Sequence, residues 1–170
     1  RPAVTTLSEE EEMFREAVRT FAESELAPLV NKMDEAQEIE PSLIPKLFEL
    51  GIMGIEIPEE FGGTGTSFFT SVLVVEELSR VDPSVGVFVD VQNTLVINAL
   101  KRWGSDDIKA RYFPPLATDL VGAYALSEAG SGSDAFALTC RATQDGDDWL
   151  LTGQKLWITN GSEAGVYIIF

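Results

Sequence analysis

The chain has 170 residues, 45% hydrophobic and 24% charged, which is enough to bury a sizeable core and too apolar for global disorder. Acidic residues outnumber basic ones 28 to 12, a net charge of −16 that argues against nucleic acid and anionic lipid as partners. There is no histidine, which excludes His-based triads and His metal ligands, and the single Cys140 can form no internal disulfide.

In chain order, Ser8 is a helix N-cap followed by Glu9 to Glu12, placed where the helix dipole favours negative charge. Met13, Phe14, Ala17, Val18, Phe21 and Leu26 recur at helical spacing, and the helix is expected to end at Pro28. A shorter helix follows Pro41 through Leu43, Ile44, Leu47, Phe48 and Leu50, closed by Gly51. Gly54 to Gly65, punctuated by glycines and Pro58, reads as a loop. A third helix is expected over Ser67–Arg80, with Phe68, Val72, Val75 and Leu78 on its apolar face, and Asp82-Pro83-Ser84 breaks it. The next helix, from about Val85 to Trp103, is apolar nearly all round and is therefore expected at the centre of a bundle. Gly104-Ser105 ends it and caps a fifth helix from Asp106 to Ala117.

The hydrophobic period then changes. Val121 to Leu126 reads as a strand, followed by a Gly/Ser loop over Ala129–Ser133. Phe136, Leu138, Cys140 and Ala142 alternate with polar or small residues at a period of two, which places Cys140 at an inert strand position. Asp145-Gly146-Asp147 is a hairpin turn into Trp149-Leu150-Leu151, Lys155–Thr159 is expected as another strand, and Val166–Phe170 as one more. The reading is α+β: an N-terminal all-α helical domain over residues 1–120, then the beginning of an antiparallel β-barrel-like middle domain over 121–170. An apolar strand at the end of the chain leaves an unpaired edge, so the chain is expected to be a piece of something longer or to depend on another chain. No run approaches the ~20 apolar residues of a membrane span, and the start of the chain has neither a signal-peptide apolar core nor an Arg-rich amphipathic stretch.

Two motifs carry candidate chemistry. Gly130-Ser131-Gly132-Ser133-Asp134 has an uncluttered backbone that could bring N–H groups and hydroxyls up to an anion, or could be a flexible connection. It is not a dinucleotide fingerprint, because Ala135 stands where the third Gly should be. Trp157-Ile158-Thr159, on a strand, would present an indole and a hydroxyl on one side, suited to a flat electron-accepting ring or equally to a core Trp beside a surface Thr. The acidic runs Glu9–Glu12, Glu59-Glu60 and Asp106-Asp107 read as solvated faces and helix starts, not as an acid/base pair.

Together, Tyr124-Ala125-Leu126-Ser127-Glu128-Ala129-Gly130-Ser131-Gly132-Ser133-Asp134 and Lys155-Leu156-Trp157-Ile158-Thr159-Asn160-Gly161 resemble the acyl-CoA dehydrogenase family. Met53-Gly54-Ile55, Phe61-Gly62-Gly63-Thr64-Gly65 and Glu76-Glu77-Leu78-Ser79 agree, so the resemblance covers essentially the whole chain. It implies a helical domain, a middle β domain and a C-terminal four-helix domain, the last beyond these 170 residues, in a homotetramer. It implies FAD as cofactor, held by Tyr124, Ala125, Leu126, Ser127, Gly132, Ser133, Trp157, Ile158 and Thr159, with Ser133 also near the acyl-CoA and the Thr159 hydroxyl directed at flavin N5. The implied reaction is α,β-dehydrogenation of an acyl-CoA thioester, with electron-transfer flavoprotein as acceptor. The family's catalytic Glu comes from the C-terminal domain, so no catalytic residue is assigned in this chain and Glu128 is not promoted to that role. Ser127-Glu128-Ala129, where many relatives carry Thr-Glu-Pro, together with Gln92-Asn93-Thr94-Leu95, is most similar to the short/branched-chain members. Those members imply fatty acid and branched-chain amino acid breakdown, in the mitochondrial matrix of a eukaryote or otherwise in the cytoplasm. A non-catalytic truncated homologue acting as a binding or assembly module, and an acyl-CoA oxidase-like enzyme, are the alternatives.

Overall fold

The computed structural model describes residues 6–170. Helix α1 (Glu9–Phe21) starts on a reciprocal cap: the Ser8 hydroxyl accepts from the Glu11 amide and the Glu11 carboxylate accepts from the Ser8 amide. Where the helix was expected to stop at Pro28, it runs on. A wide turn (Ala22–Leu26) and a tight turn (Ala27–Leu29) lead into α2 (Val30–Ala36). Pro28 falls in the first turn of a new hydrogen-bonding pattern, where its missing N–H has no partner to lose. Helix α3 (Leu43–Glu49) ends at Gly51 in the left-handed region, as its composition predicts.

Helix α4 (Phe68–Ser79) forms where expected but buries a different face. Phe68 and Val72 are exposed, while Ser71, Leu73, Val74, Glu77 and Leu78 are buried. This helix is apolar on several sides, so periodicity alone could not select the stripe that meets the core. Beyond it, α5 (Pro83–Asp90), a wide-turn segment (Val91–Ile97) and α6 (Asn98–Trp103) form one continuous rod through the centre of the protein. Val85, Phe88, Val89, Val96 and Ile97 are all at most 1% exposed, as a helix apolar all round requires. Ser105 caps α7 (Asp106–Thr118), which carries Pro114 and Pro115 within it.

The strands are β1 (Gly122–Ala125), β2 (Arg141–Asp145), β3 (Asp148–Thr152) and β4 (Val166–Ile169). The antiparallel expectation is met by the β2–β3 hairpin, whose turn uses Gly146 at φ +64°. In contrast, β1 and β4 pair in parallel, Gly122 with Val166 through Ala125 with Ile169. The connection between them spans Leu126–Gly165, long enough to bring the chain back in the same direction. Two further expectations differ. Residues 137–140 form no ladder, so Cys140 precedes β2 and Phe136 stands fully exposed in a turn. Residues 155–159 are also irregular: Trp157 has φ +58°, which a strand cannot contain.

The β1–β4 pair is seated on the helices. Tyr124, Val166, Ile168 and Leu120 pack against a buried cluster of Ile57, Val91, Val96, Ile97, Phe113 and Leu116. Gly122 makes this approach feasible, since a Cβ there would lie 2.6 Å from Val96 Cγ1. Gln92, completely buried in the central rod, receives the Gly122 amide on Oε1 at 2.7 Å and donates Nε2 to the carbonyls of Leu116 and Leu120, each at 3.0 Å. Asn160 makes the second tie, donating Nδ2 to the carbonyls of Phe88 at 3.0 Å and Gly122 at 3.2 Å.

Candidate functional site

The two motifs meet beyond the end of β1. Alternation along β1 turns Tyr124 toward the helical cluster, where its ring also packs on Phe170 at 4.8 Å between centroids, and places Ala123 and Ala125, both buried, on the opposite face. The Ala125 methyl is buried, at 3% exposure, and only its backbone could serve a ligand. After Ala125 the chain leaves the ladder but is held by the second motif. The Leu126 carbonyl accepts from Lys155 Nζ at 3.0 Å, and the Ser127 carbonyl accepts from the Leu156 amide at 2.9 Å. Residues 126–127 and 155–156 thus lie side by side.

Glu128 stands at the root of the Gly/Ser loop. Its backbone N–H and C=O both bond to those of Ser131, at 2.9 and 3.1 Å, and the Ser131 hydroxyl donates to the Asp134 carbonyl. The Glu128 side chain turns inward, 5% exposed, and its carboxylate accepts four bonds. Oε2 takes the Thr139 amide and hydroxyl, both at 2.7 Å; Oε1 takes Lys155 Nζ at 2.8 Å and the Cys140 amide at 2.9 Å. The Lys155 ammonium, and next the Thr139 hydroxyl and amide, hold this carboxyl down to about 2. A carboxylate so ionised and so fully engaged is a poor proton acceptor at neutral pH.

Around this clamp lie the groups that a ligand could meet. Gly132 and Ser133 are exposed, and a Cβ added at Gly130 or Gly132 would meet nothing within 4 Å, so the approach to the loop backbone is open. Ser127, Ile158 and Thr159 are half-buried. Trp157 is 91% exposed and is held in the left-handed region, an unfavourable place for a bulky aromatic residue. Its indole is thus presented outward and is not a core Trp. The strand geometry expected to place Trp157 and Thr159 on one side is absent; the turn at Asn160, whose carbonyl accepts from Ala164, sets their positions instead. Beyond Arg111 the only cations are Arg141, which is exposed, and Lys155, which is committed to Glu128. An anion here would be met by backbone amides and hydroxyls.

Glu128, Lys155, Thr139 and Asn160 were not singled out as site residues by sequence reasoning. The signal available for the first two was charge. Lys155 is the one basic residue after Arg141 in a strongly acidic chain, and Glu128 is the one carboxylate between Leu120 and the Gly/Ser loop.

Residues 8–119 match the family described as acyl-CoA dehydrogenase, N-terminal domain, and residues 123–170 match acyl-CoA dehydrogenase, middle domain. The chain belongs to the acyl-CoA dehydrogenase family. It is 48% identical over 167 residues to a probable short/branched chain specific acyl-CoA dehydrogenase of Dictyostelium discoideum, covering 98% of this chain and 40% of that protein. It is 46% identical over 164 residues to the mitochondrial short/branched chain specific acyl-CoA dehydrogenase of Bos taurus, covering 96% of this chain and 38% of that protein. Among solved structures, a chain from work on the electron transferring flavoprotein of Acidaminococcus fermentans superposes with a TM-score of 0.92 at 37% identity, covering 96% of this chain and 43% of the other. A glutaryl-CoA dehydrogenase of Mycobacterium smegmatis in complex with FADH2 superposes at 0.89 with 33% identity, covering 96% and 42%. The chain therefore spans about 40% of the length of the curated relatives it matches.

Proposed function

We propose that these residues form one wall of the FAD site of a short/branched-chain acyl-CoA dehydrogenase, an enzyme that introduces an α,β double bond into an acyl-CoA thioester. The observation that carries the reading is the strained, outward-facing Trp157 beside a loop of open backbone, both fastened to the end of β1. The residues fit the cofactor. Trp157 and Ile158 offer a flat apolar surface for the ring, and the hydroxyls of Ser127 and Thr159 offer donors along it. The amides of Gly132 and Ser133, with the Ser133 hydroxyl, offer an uncharged cradle for the pyrophosphate, and Ser133 also borders the acyl-CoA. Tyr124, Ala125 and Leu126 line the wall through their backbone and the Tyr124 ring. Bound FAD supplies the hydride acceptor. The Thr159 hydroxyl would serve as a donor to the bound ring, a fixed dipole that need not reorganise during reaction. The reading places a helical unit over residues 1–120 and a β unit over 121–170. It assigns the α-proton to a Glu of a C-terminal domain, electron-transfer flavoprotein as acceptor, a homotetrameric assembly, and the mitochondrial matrix in a eukaryote or the cytoplasm otherwise. The names of the relatives and the family match support it.

The test is spectroscopic. Full-length protein carrying this chain should purify with flavin absorbance that bleaches with 2-methylbutyryl-CoA or butyryl-CoA. The 170-residue chain alone should hold no FAD, because only one wall of the site is present. Full-length protein without flavin would refute the reading, and hydrogen peroxide production on turnover would reassign it to the oxidases.

A further inference from the structure

Both motifs of the proposed flavin wall lie where no strand ladder fixes the backbone. β1 ends at Ala125 and β2 begins at Arg141; β3 ends at Thr152 and β4 begins at Val166. In such stretches each residue retains backbone freedom unless something removes it, yet the site needs Trp157 held in an unfavourable conformation. The strongest tie joining the two stretches is one side chain. Glu128 is only 8% exposed, and its two oxygens reach Thr139 and Cys140 on the far side of the Gly/Ser loop and Lys155 two residues before Trp157. Lys155 in turn reaches back to the Leu126 carbonyl. The loop is therefore pinned at both feet, and the same carboxylate pins the neighbouring segment.

We infer that Glu128 is the positioning residue of the flavin wall: by holding Thr139, Cys140 and Lys155 at once, it sets the Gly130–Ser133 loop against the segment bearing Trp157 and Thr159. This rests on the flavin reading above. Glu128 itself touches no ligand. It acts through what it holds, and a buried carboxylate with all its neighbours satisfied is suited to that work. Lys155 belongs to the same device, since it is the one cation that can neutralise Glu128 here and its removal frees the entry to Trp157.

The experiment uses full-length protein carrying this chain, stripped of flavin and titrated with FAD, with the melting temperature of the stripped protein measured alongside. Glu128→Gln and Lys155→Met should each weaken FAD binding by at least about 10-fold, the loss expected when a wall is displaced by a fraction of an ångström. Their double variant should be little worse than either alone, because both break one device. Glu128→Asp, one methylene short of Lys155, should fall between parent and Glu128→Gln, and it carries the test if Glu128→Gln does not fold. Leu47→Ala, in the core and remote from the loop, lowers the melting temperature without touching the device and should leave FAD affinity within about twofold of the parent. A parent that binds no FAD overturns the flavin reading and this inference with it. A parent that binds FAD while the Glu128 and Lys155 variants stay within about twofold overturns the inference alone. So does a loss of FAD affinity that Leu47→Ala reproduces at the same melting temperature, since general destabilisation would then account for it.

Discussion

Gln92→Leu isolates the join between helices and strands. The substitution keeps side-chain volume close to constant while removing one acceptor and two donated bonds, all in a fully buried place. The Gly122 N–H, bonded at 2.7 Å in the native protein, is left without an acceptor. An orphaned buried donor costs about 1–3 kcal/mol, and the carbonyls of Leu116 and Leu120 each add less, because a carbonyl retains a second lone pair. The sum is roughly 2–4 kcal/mol. For a protein of this size each kcal/mol moves the melting temperature by about 2–4 °C, so a fall of roughly 5–15 °C is expected. Thermal melts followed by circular dichroism read the total, and amide exchange at Gly122 reads the cause. The site should suffer as well, since Gly122 opens the strand that runs into Tyr124–Ser127. A fall of less than about 2 °C with Gly122 exchange unchanged would show that Gln92 does not hold the two parts together.

Acid should loosen the protein through Glu128 and Glu77, whose folded carboxyls bind protons less readily than unfolded ones. Glu77 is held low chiefly by the Arg19 guanidinium, and Glu128 chiefly by Lys155. Both contributions are complete above about 4.5; that of Glu128 is lost as pH falls toward about 2, and that of Glu77 is lost in the same direction below 4.5. A melting temperature that does not fall across this range, or that falls equally in Glu128→Gln, would contradict the assignment for Glu128. Gly122→Ala should destabilise by about 1–3 kcal/mol through its contact with Val96, and Val96→Ala in the same chain should recover part of the loss. Urea unfolding of the single and double variants decides this, and additive losses would refute the contact. Trp157→Asn should stabilise the flavin-free protein by about 1 kcal/mol, because Asn tolerates the left-handed conformation and little Trp packing is lost. The same change should weaken FAD binding. A drop in flavin-free stability would mean that the indole is a core residue after all.

Local chemistry was legible wherever it acts over a few residues. The Ser8–Glu11 cap, the Gly51 stop, the Ser105 start of α7 and the Gly146 hairpin turn all follow from neighbouring residues and stand where the sequence places them. Features decided by distant partners were not. The end of α1 turned on a change of helical hydrogen-bonding pattern at Ala22–Leu26, which no residue type announces. The buried face of α4 depended on which side met α1 and α5. The stretch Lys155–Thr159 has strand-like residues, but Lys155 and Leu156 are tied to Glu128, Leu126 and Ser127, and those ties replace a ladder. For the candidate site, the two motifs were legible as sequence and their adjacency was not, because contacts between residues 126–128 and 155–156, distant in the chain, bring them together.

The parallel pairing of β1 with β4 has a consequence for the order of assembly. Joining Gly122 to Val166 closes a long loop, and the entropic cost of closure must be met before any ladder bond forms. The β2–β3 hairpin inside that loop is local and can form within microseconds. The helical contacts around Gln92 require nothing beyond Gly122. During synthesis at about 5–20 residues per second, the helices therefore have seconds to settle before Val166 emerges. Until then β1 is an open edge on a finished helical base. The strand that leads into the proposed cofactor loop is thus the natural point for a chaperone to guard, and mutations that delay β4 should appear first as aggregation of the nascent chain and only later as lower yield of folded protein.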